Sequence, residues 1–263
     1  MAESDFSFVL EDDLLEEYFK FTKPDKFPNE KYDEEIIKSL LSYRTMPFLF
    51  STGQIDRLKE RIPNIEIDRK KEIQLRKKGL TSDNLEELAK KTFYRCILSK
   101  DKDQFPYVKI GGSDKIITSV SGSFYYRESR QKAIDHIHAL CADAKKIIIW
   151  DEFVMENNYS LTALKKILPN SDKVKIIIHN TSVGKRGNSF SYVPDDFETA
   201  LNKINNDWNI EKRALKINQH HDRYLIIDNK QEIVLTSGLR YLEEENKEIT
   251  YIIKPYKGHL YDQ

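Results

Sequence analysis

The sequence has few cysteines, no long apolar run and no basic residue among its first ten. It contains two cysteines, Cys96 and Cys141, too few for a disulfide scaffold or a four-cysteine zinc site. Its longest apolar runs, such as residues 147–150, have the length of a strand and not of a membrane span. Residues 1–10 carry no Lys or Arg, so no signal peptide is predicted. We therefore expect a cytoplasmic protein in which both cysteines are reduced core residues.

Net charge is absent as well. The 43 basic and 43 acidic residues cancel, so the overall charge points to neither a nucleic-acid nor a membrane partner. Charge is nevertheless uneven along the chain, because residues 1–40 hold 12 acidic and 5 basic side chains, whereas basic residues predominate over 57–78. That basic run predicts either a solvated helix face or a surface that faces phosphate.

The apolar pattern changes near residue 105. Before it, apolar residues recur at helical spacing, as at Leu14, Leu15, Tyr18 and Phe19. After it, short β-rich runs alternate with amphipathic helices, which predicts one mixed α/β sheet flanked by helices. We expect a mainly α-helical N-terminal region over 1–105, able to bind a partner protein, and an α/β domain over 106–263. The predicted strands are 115–120, 146–150, 174–178, 210–217, 224–227, 233–235 and 250–253, and the predicted helices of this domain are 128–144, 161–168 and 197–204.

One segment of the α/β domain combines residues that suit phosphate chemistry. His221 and Arg223 are two apart in a predicted strand, so both side chains leave the same face. A guanidinium forms bidentate contacts with phosphate oxygens, and an imidazole can attack or transfer a proton. Asp228 closes the strand and is expected to balance or orient the cations. A hairpin turn then brings Ser237, with its hydroxyl and small neighbours, back beside the first strand. The bland alternative is a pair of surface residues on an edge strand.

This segment resembles the phospholipase D superfamily, whose signature is His-x-Lys, four residues, Asp, and then a strand that contains Gly and Ser. The chain reads His221-x-Arg223, four residues, Asp228, and then Thr236-Ser237-Gly238. Within the superfamily it is most similar to the phospholipase-D-like domain that follows the MIT domain, over about residues 125–255. That domain also has an acidic and aromatic strand end, as at Asp151 to Phe153, and a Gly-Leu pair, as at Gly238-Leu239.

The resemblance implies a phospholipase-D-like fold and two alternative functions. Catalytic members bring two such histidines together, one attacking phosphorus and the other protonating the leaving group. Because this chain has one motif, the resemblance implies a homodimeric, metal-independent phosphodiesterase with His221 as nucleophile and no cofactor. Nucleic acid is the expected substrate, and phage defence is one expected setting. The alternative is a module that binds phosphate without turnover, on a phospholipid head group or a nucleic-acid backbone, as the MIT-linked domain does; the Arg at position 223 in place of Lys favours it.

Further candidates lie at the ends of predicted strands, where ligand loops of α/β sheets gather. Asp151 is expected to hold the His221 imidazole in one tautomer, or else to cap a helix. Lys185 and Arg186 lie in a loop that either binds phosphate or is simply solvated. Arg240 completes the set of candidate substrate-binding residues. Catalytic roles are assigned to His221, Arg223, Asp228 and Ser237.

Overall fold

The chain divides into two units, residues Met1–Ser119 and Val120–Gln263. They are seen in a computed structural model that describes residues 6–27, 30–43, 48–62, 65, 68–82, 84–112, 114–117, 120–151, 154, 158–171, 173–180, 195–214 and 222–258. The predicted domain boundary at 105–106 lies earlier than this division at 119–120. The strand Tyr107–Lys109 belongs to the first unit because it pairs with Ile97–Ser99. The described part of the chain contains no helix long and apolar enough to cross a bilayer.

The first unit combines helices with a small parallel sheet. Its sheet has the order β1-β2-β3, formed by Val9–Leu10, Ile97–Ser99 and Tyr107–Lys109. The region predicted to be mainly helical therefore also contains strands. Local pattern does not reveal them, because pairs such as the buried Val9↔Ile97 join segments that are far apart in the sequence. The helices are α1 Asp12–Thr22, α2 Glu34–Ser42, α3 Thr52–Arg61, α4 Arg69–Lys77 and α5 Leu85–Ala89, with a short 3₁₀ helix at Pro24–Lys26.

Side-chain caps start several of these helices. Ser51 and Gln54 form a capping box at the start of α3, and Asp33 accepts two backbone N–H groups at the start of α2. Asn84 caps α5, accepting the backbone N–H groups of Glu86 and Glu87. The same Gln54 also donates to the carboxylate of Asp12 at the start of α1. The caps therefore set where helices begin and also join α1 to α3.

The second unit contains a seven-stranded mixed sheet, which confirms the predicted α/β class. The strand order is β4-β10-β9-β8-β5-β6-β7. The strands are β4 Ser121–Phe124, β5 Lys146–Trp150, β6 Lys175–Asn180, β7 Asn209–Ala214, β8 Arg223–Ile227, β9 Gln231–Leu235 and β10 Ile249–Pro255. The helices are α6 Gln131–Cys141, α7 Asn158–Ile167 and α8 Asp195–Ile204, with a 3₁₀ helix at Leu239–Leu242.

The predicted strands and helices of this unit correspond closely to the observed ones, with one exception. Residues 115–117 form no strand, and the first strand of the sheet begins at Ser121 instead. The polar composition of β4, Ser-Gly-Ser-Phe, hides it from an apolar pattern. Gly122 fits there because a Cβ would come within 2.4 Å of the Tyr251 ring. Close packing against a neighbouring strand therefore selects residues that do not look like a strand.

Both faces of this sheet carry buried apolar residues. Helix α6 lies against one face, where His136 Nδ1 is 2.8 Å from the hydroxyl of Tyr251 on β10. His136 is fully buried. Side chains alternate along the strands, so Ile148, Ile177 and Ile226 form a buried cluster on the opposite face. Cys96 and Cys141 are buried thiols that form no disulfide, as predicted.

Candidate phosphate-binding site

Strand direction gathers four of the eight predicted site residues at one edge of the seven-stranded sheet. Strands β4, β5, β6, β7 and β9 end at this edge, while β8 and β10 begin there. We call it the site edge. Arg223 opens β8, and Asp151 directly follows β5, its immediate neighbour in the sheet. The site edge therefore brings together residues that lie more than seventy positions apart in the sequence.

The centre of the site edge is an ion pair between Arg223 and Asp151. Arg223 Nε lies 3.7 Å from Asp151 Oδ1. The Asp151 side chain is 1% exposed and that of Arg223 is 19% exposed. A buried carboxylate is stable only when it is paired and hydrogen-bonded, and this one has both kinds of partner. The pair thus fixes a guanidinium at a point that solvent, and so an anion, can reach.

The second oxygen of Asp151 accepts a backbone hydrogen bond. Leu239 N donates to Asp151 Oδ2 at 2.7 Å, at the first residue of the 3₁₀ helix Leu239–Leu242. A Cβ at Gly238 would lie 3.4 Å from Oδ2, an ordinary van der Waals distance, so this hydrogen bond does not require glycine there. Asp151 thus caps a helical turn, as the bland alternative expected, and also holds Arg223.

The N–H of Leu239 was missed by the sequence analysis. The available signal was a Gly-Leu pair opening a helical turn after a strand, where the first N–H groups lack partners within the helix.

Ser237 and Arg240 lie at the site edge, but each has a local partner. Ser237 Oγ donates to the carbonyl of Glu248 at 3.0 Å. The guanidinium carbon of Arg240 lies 4.6 Å from the ring centre of Tyr241, and its Nε is 3.8 Å from Glu244. Burial raises the pKa of Tyr241, but hydrogen bonds from Arg240 and Lys247 outweigh it and hold that pKa below its ordinary value. Both predicted residues thus hold the loops of the site edge in place.

Asp228 is not brought to the site edge, which corrects the prediction that it balances the cations there. It follows the far end of β8, five residues and roughly 16 Å of strand from Arg223. Its Oδ1 accepts the backbone N–H groups of Lys145 and Lys146, each at 2.9 Å. Asp228 and Asn229 both have positive φ, as the predicted hairpin turn requires. Asp228 therefore ties the turn to the start of β5.

Three predicted site residues lie outside the described part of the chain. They are His221, Lys185 and Arg186. Among the residues that the structure describes, no three His, Cys, Asp or Glu side chains come together as a metal site.

Comparison with solved structures gives weak likenesses, among them the following two. NucT from Helicobacter pylori is 16% identical, with a TM-score of 0.34, over 52% of this chain and 85% of that chain. TrmBL2, an archaeal chromatin protein described with a novel mode of DNA binding, is 14% identical, with a TM-score of 0.27, over 83% of this chain and 72% of that chain. Both TM-scores are too low to assign a fold or a function. No family model matches, no curated protein matches, and no comparison supports a likeness to the MIT-linked domain.

Proposed function

We propose that this protein is a phosphodiesterase of the phospholipase D type that cleaves nucleic acid without a metal. The observation that carries the proposal is the ion pair between Arg223 and Asp151 at the site edge. Arg223 is also the cation of the His221-x-Arg223 motif. A guanidinium held by a buried carboxylate keeps its position and charge when a phosphate arrives, so it can neutralise the charge that builds up during phosphoryl transfer.

His221 is the proposed nucleophile. It lies two residues before Arg223 in the sequence, at the start of the motif. His221 would attack phosphorus, forming a P–N bond as the P–O bond to the leaving group breaks. The leaving oxygen takes a proton from a second imidazole, and water then cleaves the phosphohistidine. Because the sequence has one such motif, we assign the second imidazole to His221 of another copy of the chain.

The compartment follows from the cysteines. Cys96 and Cys141 are buried thiols without a disulfide, so we place the activity in a reducing compartment, the cytoplasm.

The alternative function is phosphate binding without turnover. Arg223 favours it, since an anchored guanidinium holds a phosphate by geometry and charge and needs no proton transfer. The two functions differ in whether His221 is required for a bond to break.

Cleavage assays with and without EDTA separate the two functions. Fluorescent single-stranded and duplex DNA and RNA, together with bis(p-nitrophenyl) phosphate, are incubated with the wild type, His221→Ala and His138→Ala. His138 is exposed on α6 and serves as the matched control. We expect cleavage by the wild type and the control and none by His221→Ala. Equal cleavage by all three proteins, or cleavage that EDTA stops, would refute the nucleophile.

Two further results decide the remaining points. Binding that depends on Arg223, without any cleavage, would establish the alternative. Mixing excess His221→Ala with the wild type should suppress activity if the site is shared between two copies. Full activity of a monomer in sedimentation would exclude the shared site.

A further inference from the structure

Helix α4 of the first unit presents an exposed cationic surface. Its described cations Arg69, Lys70, Arg76 and Lys77, with Lys78 just after the helix, are all exposed, and we call these five side chains the basic face. The helix has a single acid, Glu72, whose carboxylate is taken by Lys59 at 2.6 Å.

Few contacts neutralise the basic face. Arg76 lies 4.0 Å from Asp56, with more than half of each side chain exposed, and the Lys78 ammonium lies 5.8 Å from the ring centre of Phe6. Within the described residues, Arg69, Lys70 and Lys77 form no ion pair. In the part of the first unit that the structure describes, most of this charge is therefore left to solvent.

Helix stability does not account for the position of Arg69 and Lys70. A helix N-terminus carries the positive end of the helix dipole, which favours acids there and disfavours bases. Arg69 and Lys70 occupy the first turn of α4, where they oppose the dipole. Arg76 and Lys77 lie in the last turn, where the dipole favours them. The basic residues of the first turn are therefore better explained by a partner than by the stability of the helix.

The chemistry of α4 selects the kind of partner. A helix that lies on a membrane needs a continuous apolar stripe for insertion. The apolar residues of α4 are Ile73 and Leu75, and Leu75 is already buried, so Ile73 alone faces solvent. Arg69 and Lys77 are eight residues apart, about 12 Å along the helix. That span equals roughly three or four phosphate steps along one strand of a duplex.

We propose that the basic face of α4 binds the phosphate backbone of nucleic acid. The proposal rests on nucleic acid being the substrate, as proposed above, and adds a binding surface on the first unit, apart from the residues that break the bond. Binding by backbone phosphates is independent of base sequence and depends steeply on salt, because bound counterions are released.

Salt-dependent DNA binding tests the proposal. Fluorescence anisotropy of a short duplex is measured from about 50 to about 300 mM salt. The test protein carries Arg69→Gln, Lys70→Gln and Lys77→Gln. A matched control carries Lys31→Gln, Lys38→Gln and Lys100→Gln, which remove the same charge from exposed positions elsewhere in the first unit.

The expected result is a smaller salt slope. Losing three phosphate contacts should lower the slope of log K against log salt by about 2 to 3 and weaken binding at low salt at least about tenfold. The control should match the wild type. Bis(p-nitrophenyl) phosphate, with one phosphate and no backbone, should be hydrolysed equally by all three proteins.

Other outcomes are equally informative. An unchanged slope in the test protein overturns the proposal, as does an equal loss of binding in a charge-keeping variant with Arg69→Lys, Lys70→Arg and Lys77→Arg. Tighter binding to phosphatidylserine vesicles than to DNA, lost in the test protein, assigns the face to membranes and also overturns it. If no diester is cleaved but the slope still falls, the proposed phosphodiesterase fails and the nucleic-acid surface stands.

Discussion

Breaking the Arg223–Asp151 pair from either side should have unequal consequences, because the two side chains are buried to different extents. Arg223→Gln leaves the Asp151 carboxylate, 1% exposed, without its cation. The expected loss in the free energy of unfolding is about 3–5 kcal/mol, as for a buried charge stripped of its partner. Asp151→Asn leaves Arg223, which reaches solvent through its 19% exposed side chain, and keeps an acceptor for Leu239. Its expected cost is smaller, about 1–2 kcal/mol.

The double variant tests the interaction itself. Arg223→Gln with Asp151→Asn removes both charges, so its cost should fall short of the sum of the single costs by about 1–3 kcal/mol. Urea unfolding followed by tryptophan fluorescence measures this, since both tryptophans of the chain, Trp150 and Trp208, belong to the second unit and report on it alone. Additive costs, or a larger loss for Asp151→Asn than for Arg223→Gln, would refute the reasoning.

Two other predictions concern residues away from the site edge. Asp228→Ala removes the acceptor of two backbone N–H groups and should destabilise the second unit by about 1–3 kcal/mol. Anion binding at the site edge, measured by titration calorimetry, should stay unchanged. Weakened anion binding would contradict the placement of Asp228 away from the site edge. In the first unit, burial raises the pKa of Asp12, but hydrogen bonds from Arg57 and Gln54 outweigh it and hold that pKa below 3.8. This carboxylate therefore contributes stability above pH 3.8 that is lost as the pH falls through its lower folded pKa. Arg57→Leu should reduce the free energy of unfolding of the first unit at pH 7 by more than at pH 3, because less of the Asp12 carboxylate is ionised at pH 3. Urea unfolding followed by circular dichroism at the two pH values measures this. Equal losses at both pH values would contradict the assignment.

Local sequence pattern was enough to predict most elements of the second unit. Continuous apolar runs such as 147–150 predicted buried central strands, because a strand covered on both faces has no polar side. Apolar residues three and four apart predicted helices α6, α7 and α8. The motif at residues 221–228 predicted that Arg223 lies on a strand. The hairpin turn after that strand was predicted within one residue of its observed position.

Pairing between strands that are distant in the sequence could not be predicted from local pattern. Strands β1, β2 and β3 have two or three residues each, too few for any periodicity, and β1 pairs with a strand nearly ninety positions later. The N-terminal region was therefore predicted as mainly α-helical, and β3 was assigned to the other domain. In β4, close packing of Gly122 on Tyr251 replaced the apolar signal.

The sequence by itself determined the class of the fold and the residue types available for phosphate chemistry, since periodicity and side-chain chemistry are local properties. Tertiary structure alone decided which of those residues meet. Antiparallel pairing of β5 with β8 puts Asp151 against Arg223 and sends Asp228 to the opposite end of the strand, although Asp228 is far nearer to Arg223 in the chain. The physical reason is that a strand carries residues about 3.3 Å apart along its length, whereas hydrogen bonding between strands brings distant segments within one side chain of each other.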